Sequence, residues 1–143
     1  MPAAEPLIRE IDIEASPETV FEFFVDPAKL TRWLAAEATL DPRPGGVCHQ
    51  VQIGAGPDYP RYYMEGEFLE VDAPKRVVFS WGFSNPDAVV GPGGSTVEVT
   101  LSPIETGTRV RLVHRGLPGA AVADHSDGWT TMLARLAEAV RGA

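Results

Sequence analysis

The sequence predicts an α+β fold in which a curved antiparallel sheet of about seven strands packs around one long C-terminal helix. Residues 7–14 alternate between two faces with a period of two, which is typical of a half-buried strand. Residues 35–114 break into short segments rich in Val, Phe, Tyr and Thr, separated by turns of Gly, Pro and Asp. Beyond residue 119 the apolar spacing changes to that of a helix.

Two short helices are predicted directly after the first strand. Ser16 supplies a side-chain oxygen for free backbone N–H groups, and Pro17 suits the first helical turn. Asp26 and Pro27 repeat this signal for the second helix. The apolar residues at helical spacing behind these two caps are Val20, Phe21, Phe24, Leu30, Trp33 and Leu34. We expect Phe21 and Phe24 to hold the short helices on the sheet.

Six further strands are predicted from the segments between the turns. They cover residues 37–40, 47–53, 62–71, 76–83, 95–102 and 109–115. A sheet of about seven strands has to curl or be covered on one face. Residues 84–94, rich in Gly and Pro, are predicted to form a mobile loop that gates the interior.

The last element is predicted to be an amphipathic helix that ends near Arg141. Its apolar stripe consists of Trp129, Met132, Leu133, Leu136, Ala137 and Val140. Asp124 is a candidate N-cap, and a start near Ala120 is the alternative.

Composition excludes several classes of function. The chain has 143 residues, 12 basic against 20 acidic, and a net charge of -8, which disfavours nucleic acid and anionic membranes as partners. Cys48 is the single cysteine, and a metal site would need it to converge with His49, His114 and His125. These residues come from three separate elements and include no close-spaced ligand pair on a helix or turn, so we expect no metal site. No cofactor-binding motif is present. The N-terminus lacks the pattern of a signal peptide, so we expect one domain over residues 1–143 in the cytoplasm.

Several phrases, in this order and spacing, resemble the START-like (SRPBCC) superfamily, in the branch named after the activator of the heat-shock protein 90 ATPase. They are residues 15–21 (ASPETVF), Asp26-Pro27, Trp33, Gly45-Gly46, Gly66, residues 77–81 (VVFSW), Gly107-Thr-Arg109, and His125 before Gly128-Trp129. The resemblance spans residues 7–141. It implies a helix-grip fold, in which the sheet and the long helix enclose an apolar cavity. Members share this cavity and differ in chemistry.

Aromatic and histidine side chains on the expected inner face are the candidate site residues. They are Phe68, Phe79, Trp81, Phe83, His114, His125 and Trp129. Trp33, Trp81 and Trp129 each offer a large apolar area with one N–H donor, which suits a ligand wall, and packing alone would account for them as well. His114 and His125 could serve a ligand, or each could be a structural residue bonded within the protein. Two weaker candidates are Arg9, as an inward charge or a snorkelling one, and an acidic row on the fourth strand comprising Tyr63, Glu65 and Glu67.

Three functions are compatible with these observations. The first is a carrier or sensor that binds a small hydrophobic molecule in the cavity. The second is an enzyme like a polyketide cyclase or hydratase, in which a cavity His or Glu moves a proton. The third is a protein-interaction domain of the stress response, similar to a co-chaperone, which would need an exposed patch. The sequence leaves open whether the chain forms a homodimer.

Overall fold

The computed structural model of the protein describes residues 5–54 and 58–143, and it has the predicted α+β helix-grip architecture. The elements are β1 (Leu7–Ile13), α1 (Pro17–Val25), α2 (Pro27–Leu30), β2 (Glu37–Leu40), β3 (Val47–Ile53), β4 (Arg61–Asp72), β5 (Arg76–Trp81), β6 (Ser95–Ile104), β7 (Gly107–Arg115) and α3 (Gly119–Arg141). Strand boundaries lie within two residues of the sequence prediction. Phe83 lies beyond the end of β5 and forms only an isolated bridge with Met64.

The seven strands form one antiparallel sheet in the order β1-β7-β6-β5-β4-β3-β2. Every pair is a neighbour in sequence except β1 and β7, which close the N-terminal strand onto the last one. β4 is the longest strand and bends at its centre, where its register with β5 shifts between Phe68 and Glu70. At Gly66 a Cβ atom would lie 2.1 Å from the backbone oxygen of Ser80, so this close approach requires glycine.

The helices begin where their capping residues place them, with one exception. Ser16 Oγ accepts a hydrogen bond from the Thr19 N–H, and the Asp26 carboxylate accepts one from the Ala28 N–H. α3 begins at Gly119 after Pro118, without a side-chain cap. The prediction of Asp124 as the N-cap is therefore wrong, because the helix starts five residues earlier, next to the alternative start at Ala120.

The core lies between the concave face of the sheet and the helices. The buried members of the predicted stripe on α3 are Trp129, Leu133, Leu136 and Val140, while Met132 and Ala137 are partly buried. Phe21 and Phe24 are buried as expected. Phe23, which the sequence analysis did not select, is also fully buried, and its carbonyl accepts a 2.9 Å hydrogen bond from Trp33 Nε1.

Replacing Leu136 by alanine should lower the free energy of unfolding by about 2 to 5 kcal/mol, because the side chain is completely buried and its removal leaves a cavity. Urea denaturation measures this change. Thr131→Ala, at an exposed position of the same helix, is the control and should change stability by less than about 0.5 kcal/mol. An equally small change for Leu136→Ala would contradict the packing of α3 described here.

Candidate functional site

A cavity of about 1130 Å³ lies between the N-terminal half of α3, the segment that joins α2 to β2, and the ends of the central strands. Apolar and aromatic groups make up most of its wall. These groups are Trp33, Leu34, Ala35, Ala36, Ile53, Tyr62, Trp81, Phe83, Ala88, Val89, Val90, Ala120, Ala121, Trp129 and Met132. The polar and charged residues on the wall include Arg32, Gln52, Asn85, Asp87, Asp124, His125 and Arg135.

Three aromatic rings form the floor of the cavity. The Trp81 ring lies 5.2 Å from the Trp129 ring and 5.7 Å from the Phe83 ring, measured between centroids. Trp81 and Trp129 are almost completely buried, whereas Phe83 is partly exposed to the cavity. The strand and the helix thus present one continuous aromatic surface, of the kind that binds flat apolar molecules.

His114 lies below this floor and is held in a continuous chain of hydrogen bonds. Trp129 Nε1–H donates to His114 Nδ1 at 2.9 Å, so Nδ1 carries no proton. Nε2–H then donates to Ser95 Oγ at 2.8 Å, and the Ser95 hydroxyl donates to the Trp81 carbonyl at 2.9 Å. Burial, with a smaller contribution from nearby His125, lowers the pKa of His114 to about 3. The imidazole is therefore neutral, with one defined tautomer.

His125 forms the corresponding contact from the helix. Trp81 Nε1–H donates to His125 Nε2 at 3.1 Å, and the other ring nitrogen, Nδ1–H, donates to the Ala121 carbonyl at 2.9 Å. Both nitrogens are engaged in the neutral form, and the tautomer is the opposite of that of His114. The two imidazole rings meet edge to face at 5.2 Å between centroids.

The structure separates the predicted site residues into two groups. Trp81, Phe83, His125 and Trp129 lie on the cavity wall. Phe68, Phe79 and His114 point to the same concave side but belong to the packed core and do not line the cavity. The reason is position along the strands: Phe79 pairs with Phe68 one inward-facing step before Trp81, further from the mouth.

Several lining residues were not selected from the sequence. Trp33, for which the sequence left both lining and packing open, does both: it is buried against the core and it lines the cavity. The 84–94 loop, predicted to be a gate, contributes Val89 and Val90 to the wall. It is tied to the sheet by a 2.8 Å hydrogen bond from the Phe83 N–H to the Val90 carbonyl. The Gly and Pro content of the loop indicated a turn but not its direction.

The two weaker candidates lie outside the cavity. Tyr63, Glu65 and Glu67 are on the outer face of β4, opposite the inward Met64 and Phe68, so this row does not face the interior. Arg9 is partly exposed at the concave edge of β1, and its guanidinium donates to Ser126 and Thr130 on α3. Its role there is to connect the first strand with the helix.

Residues 5–54 and 58–143 contain no group of three metal-ligating side chains. Burial raises the pKa of the Cys48 thiol to about 12, which keeps it protonated. None of the helices in the part of the chain that the structure describes is long and apolar enough to cross a membrane.

Comparison with known proteins bears out the resemblance. The profile of the family described as activator of Hsp90 ATPase homolog 1-like protein matches residues 14–141. Protein CV1439 from Chromobacterium violaceum is similar in structure, with a TM-score of 0.82, 24% identity, and coverage of 96% of this chain and 98% of that one. An AHSA1-like protein from Aeromonas hydrophila gives a TM-score of 0.77 at 24% identity, covering 96% of this chain and 92% of the other.

DynU16, a protein in the dynemicin biosynthetic locus, has a TM-score of 0.78 at 23% identity. The match covers 96% of this chain and 48% of DynU16. At these identities the likenesses show a shared fold. No curated protein sequence matches the chain.

The buried, neutral state of His114 should make the protein less stable in acid. Its folded pKa of about 3 lies below the ordinary value of 6.5, so between these pH values only the unfolded chain takes up the proton. Stability should therefore fall as the pH drops below about 6.5. From pH 7.5 to 4.5, His114 should account for roughly 2 to 3 kcal/mol of lost stability.

Urea denaturation of the wild type and of His114→Gln at both pH values isolates this contribution. The carboxylates of the two proteins are the same, so their effect cancels in the comparison. The variant should lose less stability than the wild type on acidification. Equal losses would contradict a buried neutral His114.

Proposed function

The chain belongs to the family of activator of Hsp90 ATPase homolog 1-like proteins, and from this premise and the geometry of its cavity we propose that it binds a small, mostly apolar molecule. The proposal rests above all on the aromatic floor made by Trp81, Phe83 and Trp129. The cavity volume of about 1130 Å³ is slightly larger than the range of roughly 300 to 1,000 Å³ common for small-molecule sites. It is suited to a ligand of one to three rings or a medium-length chain.

The hydrogen bonds beneath the floor support this function. Both indole N–H groups of the floor are already bonded to histidines, so the surface that faces the cavity is the apolar part of the rings. An apolar ligand can cover these rings without leaving a buried donor unpaired, which would cost about 1 to 3 kcal/mol. The floor therefore favours apolar contact over polar recognition.

Exposed apolar side chains surround the mouth of the cavity. Ile53, Tyr62 and Val89 are 48%, 43% and 60% exposed, and all three belong to the cavity wall. Large apolar groups left in water favour a site that is covered when a ligand enters. Val89 lies on the 84–94 loop, so we include in the proposal that this loop controls entry and release of the ligand.

The cyclase or hydratase alternative receives less support from the geometry. It requires a cavity His or Glu that is free to exchange a proton with a bound carbonyl. Both ring nitrogens of His114 and of His125 are committed to hydrogen bonds within the protein, and the glutamates of β4 lie on the outer face. The protein-interaction alternative would place a partner on the exposed rim, and it predicts that a dye in the cavity competes with that partner only weakly. We put ligand binding first because the aromatic floor lies inside the cavity.

Filling the cavity from the helix side should abolish binding. Gly128 lies on the cavity wall, and a Cβ atom built there has no heavy atom within 4 Å, so a phenylalanine side chain would occupy the open space. The neutral dye N-phenyl-1-naphthylamine should bind the wild type at micromolar concentration, with a saturable rise in dye fluorescence. Gly128→Phe should weaken this binding at least tenfold.

Ala134→Phe is the matched control, because Ala134 is exposed on the opposite side of α3 and outside the cavity. It should bind the dye as the wild type does. Circular dichroism checks that both variants are folded. Unchanged dye binding by folded Gly128→Phe would contradict the proposed site, and so would a wild type that does not bind the dye.

A further inference from the structure

The charged groups on the cavity wall are distributed unevenly along α3. Asp124 lies near the start of the helix and Arg135 eleven residues later, which places their backbones about 16 Å apart along the axis. Arg32, from the segment after α2, lies beside the C-terminal end of the same helix: its guanidinium is 3.9 Å from the position that a Cβ atom on Gly142 would occupy. The cavity therefore has an acidic end at Asp124 and a basic end at Arg32 and Arg135.

Arg32 and Arg135 form no salt bridge with any residue in the described ranges 5–54 and 58–143. Most other arginines of the chain pair with carboxylates; these are Arg43, Arg61, Arg76, Arg109, Arg111 and Arg115. The Arg135 guanidinium donates to the Met132 sulfur at 3.9 Å, and the Arg32 guanidinium lies 5.7 Å from the centroid of the Phe23 ring. Both side chains are exposed, and Arg9 and Arg141 also form no salt bridge within the described residues, but of these four arginines only Arg32 and Arg135 line the cavity.

We propose that the ligand of this cavity is a hydrophobic acid, whose carboxylate lies between Arg32 and Arg135 while its apolar body covers Trp81, Phe83 and Trp129. The inference rests on the proposed binding function and adds the chemical class of the ligand. A guanidinium presents a planar pair of N–H donors that matches the two oxygens of a carboxylate. Met132, between Trp129 and Arg135 on the cavity face of α3, provides an apolar path from the floor to the basic end.

The acidic end fixes the orientation of such a ligand. Asp124 would repel the carboxylate if the molecule entered the other way round, and Asp87 on the 84–94 loop adds a second negative charge to the wall. An acid with its charge toward Arg32 and Arg135 keeps its carboxylate away from Asp124. The arrangement therefore selects against the reversed pose as well as for the productive one.

Displacement of N-phenyl-1-naphthylamine by decanoate and by decanol tests this inference, because the two competitors share one alkyl chain and differ in charge. The double variant Arg32→Gln/Arg135→Gln should require about tenfold more decanoate than the wild type for half displacement. Its half-displacement concentration for decanol should stay within twofold. Binding of the neutral dye itself should also remain unchanged, which shows that the variant is folded and the cavity intact.

Arg43→Gln/Lys75→Gln is the matched control, because it also removes two positive charges, at exposed positions away from the cavity. For this control, decanoate and decanol should each displace half of the dye at the same concentration as for the wild type. If this control weakened decanoate binding as strongly as the double variant does, the effect would come from overall charge and the assignment would be wrong. If the double variant bound decanoate as tightly as the wild type does, or bound decanoate and decanol more weakly to the same extent, the acid-binding inference would fail. Dye binding would still support the proposed function. If the dye did not bind the wild type, both would fail.

Discussion

Two hydrogen bonds between tryptophan and histidine fasten α3 to the concave face of the sheet. They are reciprocal: Trp129 on the helix donates to His114 on β7, and Trp81 on β5 donates to His125 on the helix. The Ser95 hydroxyl and the Ala121 carbonyl accept hydrogen bonds from the remaining ring N–H groups of His114 and His125, so these polar groups are all satisfied. Losing one partner would leave a buried donor or acceptor unpaired, which makes the set act as a unit and fixes the position of the helix.

The position of the helix in turn determines the cavity. The C-terminal half of α3 packs on the core through Leu133, Leu136 and Val140. The N-terminal half does not fill the space next to the aromatic floor, and that space is the cavity. Because the histidines are used to hold the floor, the geometry favours binding over proton transfer. We propose that Arg32 and Arg135, which form no salt bridge within residues 5–54 and 58–143, add a preference for an acid to this aromatic site. The histidines thus serve structural bonding, while the proposed selection of the ligand's charge is assigned to the two arginines.

The sequence predicted the strands and helices closely, because period-two alternation and capping residues such as Ser16 and Asp26 act locally. It also indicated which strand residues face inward, as for Trp81 and His114. It could not show how far along a strand the core ends and the cavity begins, which is why Phe68 and Phe79 were selected although they belong to the core. That boundary depends on which part of the sheet the helices cover, a long-range property. The partners of His114 and His125 were hidden for the same reason.

The protonation of the two histidines can be observed directly by long-range ¹H–¹⁵N correlation spectroscopy of the imidazole rings. The account predicts that at pH 7 His114 carries its proton on Nε2 and His125 carries its proton on Nδ1. His114 should keep its tautomer, uncharged, down to about pH 4, in line with its pKa of about 3. A His114 that is protonated on Nδ1, or that titrates near neutral pH, would contradict the reciprocal hydrogen bonds and the binding function built on them.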